Sequence, residues 1–104
     1  MTESNNKYSE EMLNEAHKHS FGNKDEILKS EVCGCFYCFK TYPPSEIKDE
    51  YFIPESKEGG KSTLWCAKCG IDSVIGSASG FPVSENEFLR AMNDNWFNGY
   101  SNEY

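Results

Sequence analysis

Hydrophobic positions recur at helical spacing at both ends of the chain. Met12, Leu13, Ala16, His17, Ser20 and Phe21 fall on one half of a helical wheel, which predicts an amphipathic helix over 9–20. Ser9 stands where an N-cap belongs, and Glu10 and Glu11 complement the helix dipole in the first turn. Gly22 ends this helix, and Asn23 with Glu26 three residues later forms a capping-box-like start for a second, short one that contributes Ile27 and Leu28. The clearest helix is expected at 85–97, behind a capping box at Ser84-Glu85-Asn86-Glu87. There Phe88, Leu89, Met92 and Trp96 share one arc, while Asn86, Glu87, Arg90, Asn93 and Asp94 share the other. Trp96 is expected in the core, with a place on a binding face as the second reading.

Between the helices the period shortens. Residues 39–42 alternate aromatic and polar and read as a strand that Pro43-Pro44 breaks. Residues 45–48 suit a single helical turn, and 51–54 an edge strand, since Pro54 has no amide to donate. A turn is expected at 58–61, then strands at 62–65 and 71–75.

Two short motifs interrupt this pattern and organise it. Cys35-Phe36-Tyr37-Cys38 and Cys66-Ala67-Lys68-Cys69 each hold two cysteines with two residues between them, so both thiolates of a pair can face one ion. Two such pairs make a closed tetrahedral set, the usual ligands of structural zinc. Gly70 follows the second pair directly and supplies the permissive backbone that a tight knuckle needs. A thioredoxin-like redox motif would place one pair at a strand-to-helix junction, and paired disulfides would suit a secreted chain. The stretch between Cys38 and Cys66 exceeds the ~15–20 residues of compact patterns, so the chain makes an excursion there. Cys33 is a fifth cysteine: a spare thiol, or at most a replacement for Cys35, because a tetrahedron has no fifth place.

Other polar residues invite weaker readings. His17 and His19 are two apart, so on a helix they point about 160° from each other and cannot share one ion. One packed and one surface histidine is expected, with His19 paired to Glu15; a histidine lining a cleft is the functional alternative. Asp72-Ser73 inside an apolar run either faces solvent or orients the metal ligands. The small-residue loop at 76–80 is expected to be a tight turn, although its backbone could cradle an anion.

Composition narrows the function. Seventeen acidic against ten basic residues give a formal net charge of −7, and a zinc-bound set of four thiolates adds about two more negative charges. Arg90 is the single arginine, and no basic cluster exists, which argues against nucleic acid, whose binders depend on phosphate neutralisation. The polar N-terminus shows no secretory signal and the chain no membrane-length apolar run, so a reducing cytoplasm is expected. In a chain of 104 residues a core alone contributes little net stability, whereas structural zinc supplies roughly 10–16 kcal/mol of apparent binding free energy coupled to folding.

The run Asp25-Glu26-Ile27-Leu28, then Cys33-Gly34-Cys35-Phe36-Tyr37-Cys38, then Pro44-Ser45-Glu46-Ile47, then Cys69-Gly70-Ile71-Asp72-Ser73-Val74-Ile75-Gly76, ending in the Phe88-Leu89 helix, resembles a family of small bacterial zinc-ribbon-like cytoplasmic proteins. The resemblance spans most of 17–97 and implies a cytoplasmic zinc-binding domain with no activity to carry over. That family usually has a proline in the second knuckle, where this chain has Ala67-Lys68.

The expected architecture is therefore small α+β: a zinc-ribbon-like sheet with two cysteine knuckles, N-terminal helices, and a C-terminal amphipathic helix packed on it. Residues 1–8 are expected to be disordered, 9–98 to form the domain, and 99–104 to be a polar tail. Zinc is assigned to Cys35, Cys38, Cys66 and Cys69, with no catalytic residue. The expected role is a zinc-stabilised interaction or regulatory module that binds another protein through aromatics such as Tyr37, Tyr51 and Tyr100. The alternatives are a nucleic-acid-binding ribbon and a small enzyme using Asp72, Ser73 and one histidine.

Overall fold

In a computed structural model, residues 8–55 and 60–98 are described. Of the segment expected to be disordered, residues 1–7 lie outside those described, while Tyr8 is described and buried in the core, so that expectation is corrected at Tyr8. Residues 58 and 59 of the expected turn, and the tail at 99–104 with Tyr100, also lie outside. The fold is small α+β, with three helices and two small antiparallel sheets. Among the described residues no helix is long and apolar enough to cross a membrane.

Helix α1 runs Glu10–His17 and passes into a 3-10 turn at Lys18–Ser20, so the amphipathic pattern of 9–20 holds but its last turn is tighter. The Ser9 hydroxyl accepts the Met12 amide at 3.1 Å, as the cap requires. Leu13 and Ala16 are its buried residues. Helix α2, Lys24–Leu28, buries Ile27. Helix α3, Asn86–Phe97, buries Phe88, Leu89, Met92 and Asn93.

Strand β1 (Cys33–Cys35) is the centre of the first sheet, between β2 (Thr41–Tyr42) and β5 (Val74–Gly76). Cys33 faces Tyr42 across one ladder and Gly76 across the other. Strands β3 (Phe52–Pro54) and β4 (Ser62–Leu64) form a separate hairpin. This hairpin is the excursion that the long spacing between the knuckles demanded.

Alternation along β5 divides the interior in two. Ile75 joins Tyr8, Leu13, Ala16, Phe36, Val83 and the apolar arc of α3 in one cluster. Val74 joins Ile27, Tyr42, Phe52, Leu64 and four of the five cysteines in the other, with Cys69 at its margin. Gly34 lies where the α3 side covers the sheet. A Cβ there would overlap the Val83 carbonyl and crowd Leu89, so only glycine lets the layers close.

Five local expectations are corrected. Only Thr41–Tyr42 of 39–42 and Val74–Gly76 of the region from 71 are strand, because the residues that follow each CxxC are consumed in closing a knuckle. The expected turn at 45–48 is a 3-10 turn one residue earlier, Pro44–Glu46. Asn23 stands at the N-cap of α2 without a side-chain cap bond, since its amide is committed elsewhere. The capping box at 84–87 does not form: α3 starts after Glu85, whose carboxylate instead accepts the Tyr8 hydroxyl at 2.7 Å.

Candidate metal centre

Each CxxC folds by the same backbone pattern. In the first knuckle the Cys35 amide donates to the Lys40 carbonyl and the Phe39 amide returns to the Cys35 carbonyl. In the second the Cys66 amide donates to Ile71 and the Gly70 amide returns to Cys66. Both closures need a left-handed residue just after the second cysteine, and Phe39 (φ 64°) and Gly70 (φ 83°) supply it. The turn aims amides at sulfur: Tyr37 and Cys38 N–H at Cys35 Sγ (3.4 and 3.5 Å), and Lys68 N–H at Cys66 Sγ (3.3 Å).

The knuckles face each other. Cys35 Sγ lies 3.7 Å from Cys69 Sγ, and Cys38 Sγ lies 3.7 Å from Cys66 Sγ. All four sulfurs lie within 4.8 Å of one another. A metal–sulfur bond of about 2.3 Å puts tetrahedral sulfurs about 3.8 Å apart, so the set has the size of a four-thiolate metal site. All five cysteines are free thiols, and these contacts are far longer than the ~2.05 Å of a disulfide.

Electrostatics make the same point. The Cys66 thiol is pushed up to about 12, first by its hydrogen bond with Cys35 and then by burial, and Cys69 is raised by the same pair of causes. Four thiolates cannot share this space without a cation between them. Two hydroxyls reinforce the sulfurs. Tyr42 Oη donates to Cys66 Sγ at 3.3 Å and accepts the Ala67 amide at 3.0 Å. Ser73 Oγ lies 3.1 Å from Cys35 Sγ.

Cys33 is buried inside β1, apart from the four-sulfur cluster. Burial pushes its thiol up to about 12, so it stays protonated at neutral pH. Its place outside the four-sulfur set agrees with the spare-thiol reading.

Asp72 and Ser73 part company. Ser73 turns inward to Cys35, while Asp72 is exposed and lines a cleft with His17. The three groups of the small-enzyme reading therefore do not converge. His17 is half-buried and stacks on Trp96 at 3.8 Å between ring centroids. Trp96 is 39% exposed, so it covers the core edge rather than entering it. His19 Nδ1 pairs with Glu26 Oε1 at 2.8 Å, not with Glu15, which Lys18 takes. Tyr37 and Tyr51 are half-buried rather than displayed, and Tyr37 packs edge-on against Phe97. The loop at 76–80 is a 3-10 turn closed by left-handed Gly80, where Ser30 Oγ accepts the Ala78 amide, so internal partners use its backbone.

Sequence reasoning missed Tyr42 and Phe39. The tyrosine carried no signal, because its reach to Cys66 depends on how the two knuckles meet. Phe39 had one: it stands one place after Cys38, as Gly70 does after Cys69. No protein-family model, curated protein or solved structure matches the chain.

Proposed function

We propose that the four sulfurs hold one structural zinc ion and that the chain is a zinc-stabilised cytoplasmic module that acts by binding another protein. The observation that carries the metal half is the closed set of four free thiols with hydroxyl and amide donors on Cys35 and Cys66. Such a set leaves no coordination position for substrate or water, so it suits a structural ion rather than a catalytic one.

Charge supports the protein-binding half. The chain is acidic, and several of its basic residues are already engaged: Lys18 with Glu15, Lys24 with Asp49, and Lys68 with Glu46. Phe21, Leu28, Ile53, Trp65 and Trp96 are the exposed large apolar side chains among the described residues. Apolar surface with little free positive charge favours a protein partner over a phosphate backbone.

Elemental analysis of protein purified without added metal tests the first half. One zinc per chain is expected, and iron or a ratio far from one overturns it. Fluorescence anisotropy with single- and double-stranded oligonucleotides at low salt tests the second. Affinity below about micromolar that falls steeply with salt would establish the nucleic-acid-binding ribbon instead.

A further inference from the structure

A cleft of about 250 Å³ opens where the end of α1 meets the last turn of α3. None of the four clustered sulfurs lines it. Its walls include Phe21, Phe36, Trp96 and Phe97, with His17, Ser20 and Asp72 completing the lining. Phe21 is 61% exposed and Trp96 39%, so two large rings stand open to solvent at one opening. His17 stacks flat on Trp96 and tilts against Phe36, which holds the tryptophan in place. Phe97 is fixed in turn by Phe36 and Tyr37.

These walls have one electrostatic sign. Aromatic faces carry the negative lobe of the ring quadrupole and attract an organic cation. Asp72 adds a full negative charge at the same opening. Among the described residues, no lysine or arginine lines the cleft. Burial lowers the pKa of His17 and so disfavours a positive charge there, although the charge of Asp72 opposes this. Aromatic walls that meet a carboxylate fit an alkylammonium group better than a neutral apolar group or an anion.

We propose that the cleft lined by Phe21, Trp96, Phe97 and Asp72 receives a lysine side chain of a basic partner protein. The methylene stem lies along the rings and the ammonium meets Asp72. The lysine is assigned to a protein because the whole chain is acidic, with a net charge of −7, so a basic surface is drawn to it beyond this one contact. The proposal rests on the protein-interaction reading and specifies it.

The test uses the full zinc-loaded chain carrying Trp65→Phe, which leaves Trp96 as the one indole reporter. The probes are a short blocked lysine peptide, its norleucine isostere, and tetramethylammonium. A saturable change in Trp96 fluorescence is expected with the lysine peptide. The norleucine peptide is expected to bind about fivefold more weakly or worse, and Asp72→Asn to weaken lysine by a similar factor. Asp72 is exposed, so this variant is expected to keep its metal and circular dichroism. Equal response to norleucine would make the cleft an apolar groove only. Indifference to Asp72→Asn, or silence toward lysine, also overturns the proposal. Tighter binding of tetramethylammonium than of lysine would assign the cleft to a small quaternary ammonium compound. Zinc content measured on the same samples keeps the two readings apart: a zinc-replete protein blind to lysine defeats this proposal alone, and a lysine response without zinc defeats the zinc assignment alone.

Discussion

Phe39 and Gly70 occupy equivalent positions in the two knuckles. Each donates its amide to the carbonyl of the first cysteine of its pair at 2.9 Å, and each is left-handed, at φ 64° and 83°. For glycine this backbone is free, whereas a residue with a Cβ bears a cost of about 1–2 kcal/mol. Phe39 is retained because its ring packs against the helical cluster and under the Arg90 guanidinium, 4.5 Å from the ring centroid. Removing the ring separates the two effects. Phe39→Gly is expected to be more stable than Phe39→Ala by about 1 kcal/mol, the reverse of the usual order within helices and strands. Denaturant unfolding of both metal-loaded variants measures this. Equal stability would mean the knuckle relaxes out of the left-handed region.

Asn23 tests whether a cap or a tertiary tie explains a residue. Its Nδ2 donates to the His19 and Val74 carbonyls, both at 2.8 Å, and its Oδ1 accepts the Leu64 amide at 3.0 Å. One buried side chain thus joins the end of the first helical segment to both sheets. Asn23→Asp keeps a good capping residue but loses both donors. A capping role predicts little change. The tie predicts a loss of about 3 kcal/mol, since the Val74 carbonyl is left without its amide partner beside a buried carboxylate. Chemical denaturation distinguishes the two.

Sequence legibility follows the range of the forces involved. The cysteine pairs were readable because a knuckle is a local turn and its spacing alone sets where the sulfurs point. Helices α1 and α3 were readable from their apolar arcs. The same alternation misled at 39–42, where closure of the knuckle overrides strand propensity at Phe39. At Asn23 a long-range partner took the side chain that a local rule assigned to a cap. The cleft was hidden for a similar reason: Phe21, Asp72 and Trp96 are far apart in the chain and meet only when α1 and α3 pack.

Cys33 and Cys66 are both buried, yet they are expected to behave oppositely when replaced. Cys66 is one of the four converging sulfurs, and Cys33 is a protonated thiol within β1. Cys66→Ser is expected to lose the metal and the fold coupled to it. Cys33→Ser is expected to keep one metal per chain, at a cost of roughly 1–3 kcal/mol for burying a hydroxyl. Metal content and thermal melting of the two variants decide it, and loss of metal from Cys33→Ser would move the ligand assignment from Cys35 to Cys33.

His17 makes stability depend on acidity. Burial against Phe36 and Trp96 lowers its folded pKa, while the charge of Asp72 pulls the other way. A histidine lowered on folding contributes stability that is present above its unfolded pKa of about 6.5 and lost as pH falls through the folded value. His17→Phe keeps an aromatic ring on Trp96 and removes the proton. The variant is expected to gain on the wild type as pH falls from 7 to 5, measured as the difference between their melting temperatures. Because acid loosens thiolate–metal bonds in both proteins, only the difference reports on His17. A difference that does not change with pH would show that its imidazole titrates alike in both states.

Tyr42 ties the first sheet to the second knuckle. It lies on β2 opposite Cys33, and its hydroxyl crosses to the other knuckle, where it donates to Cys66 Sγ and accepts the Ala67 amide. A donor on a ligating thiolate withdraws part of its negative charge and fixes the sulfur lone pairs, so the ion is held in one geometry. Tyr42→Phe removes one oxygen and leaves the buried ring in place. The Ala67 amide then loses its acceptor and Cys66 keeps only the Lys68 amide among these contacts. Metal affinity is expected to fall about tenfold or more, with a destabilisation of roughly 1–2 kcal/mol. Ser73→Ala removes the matching contact on Cys35 and is expected to act in the same direction. Competition with a chelator of known affinity gives the first quantity and denaturant unfolding the second. If Tyr42→Phe destabilised the chain but released metal no more readily, the hydroxyl would serve only the Ala67 amide.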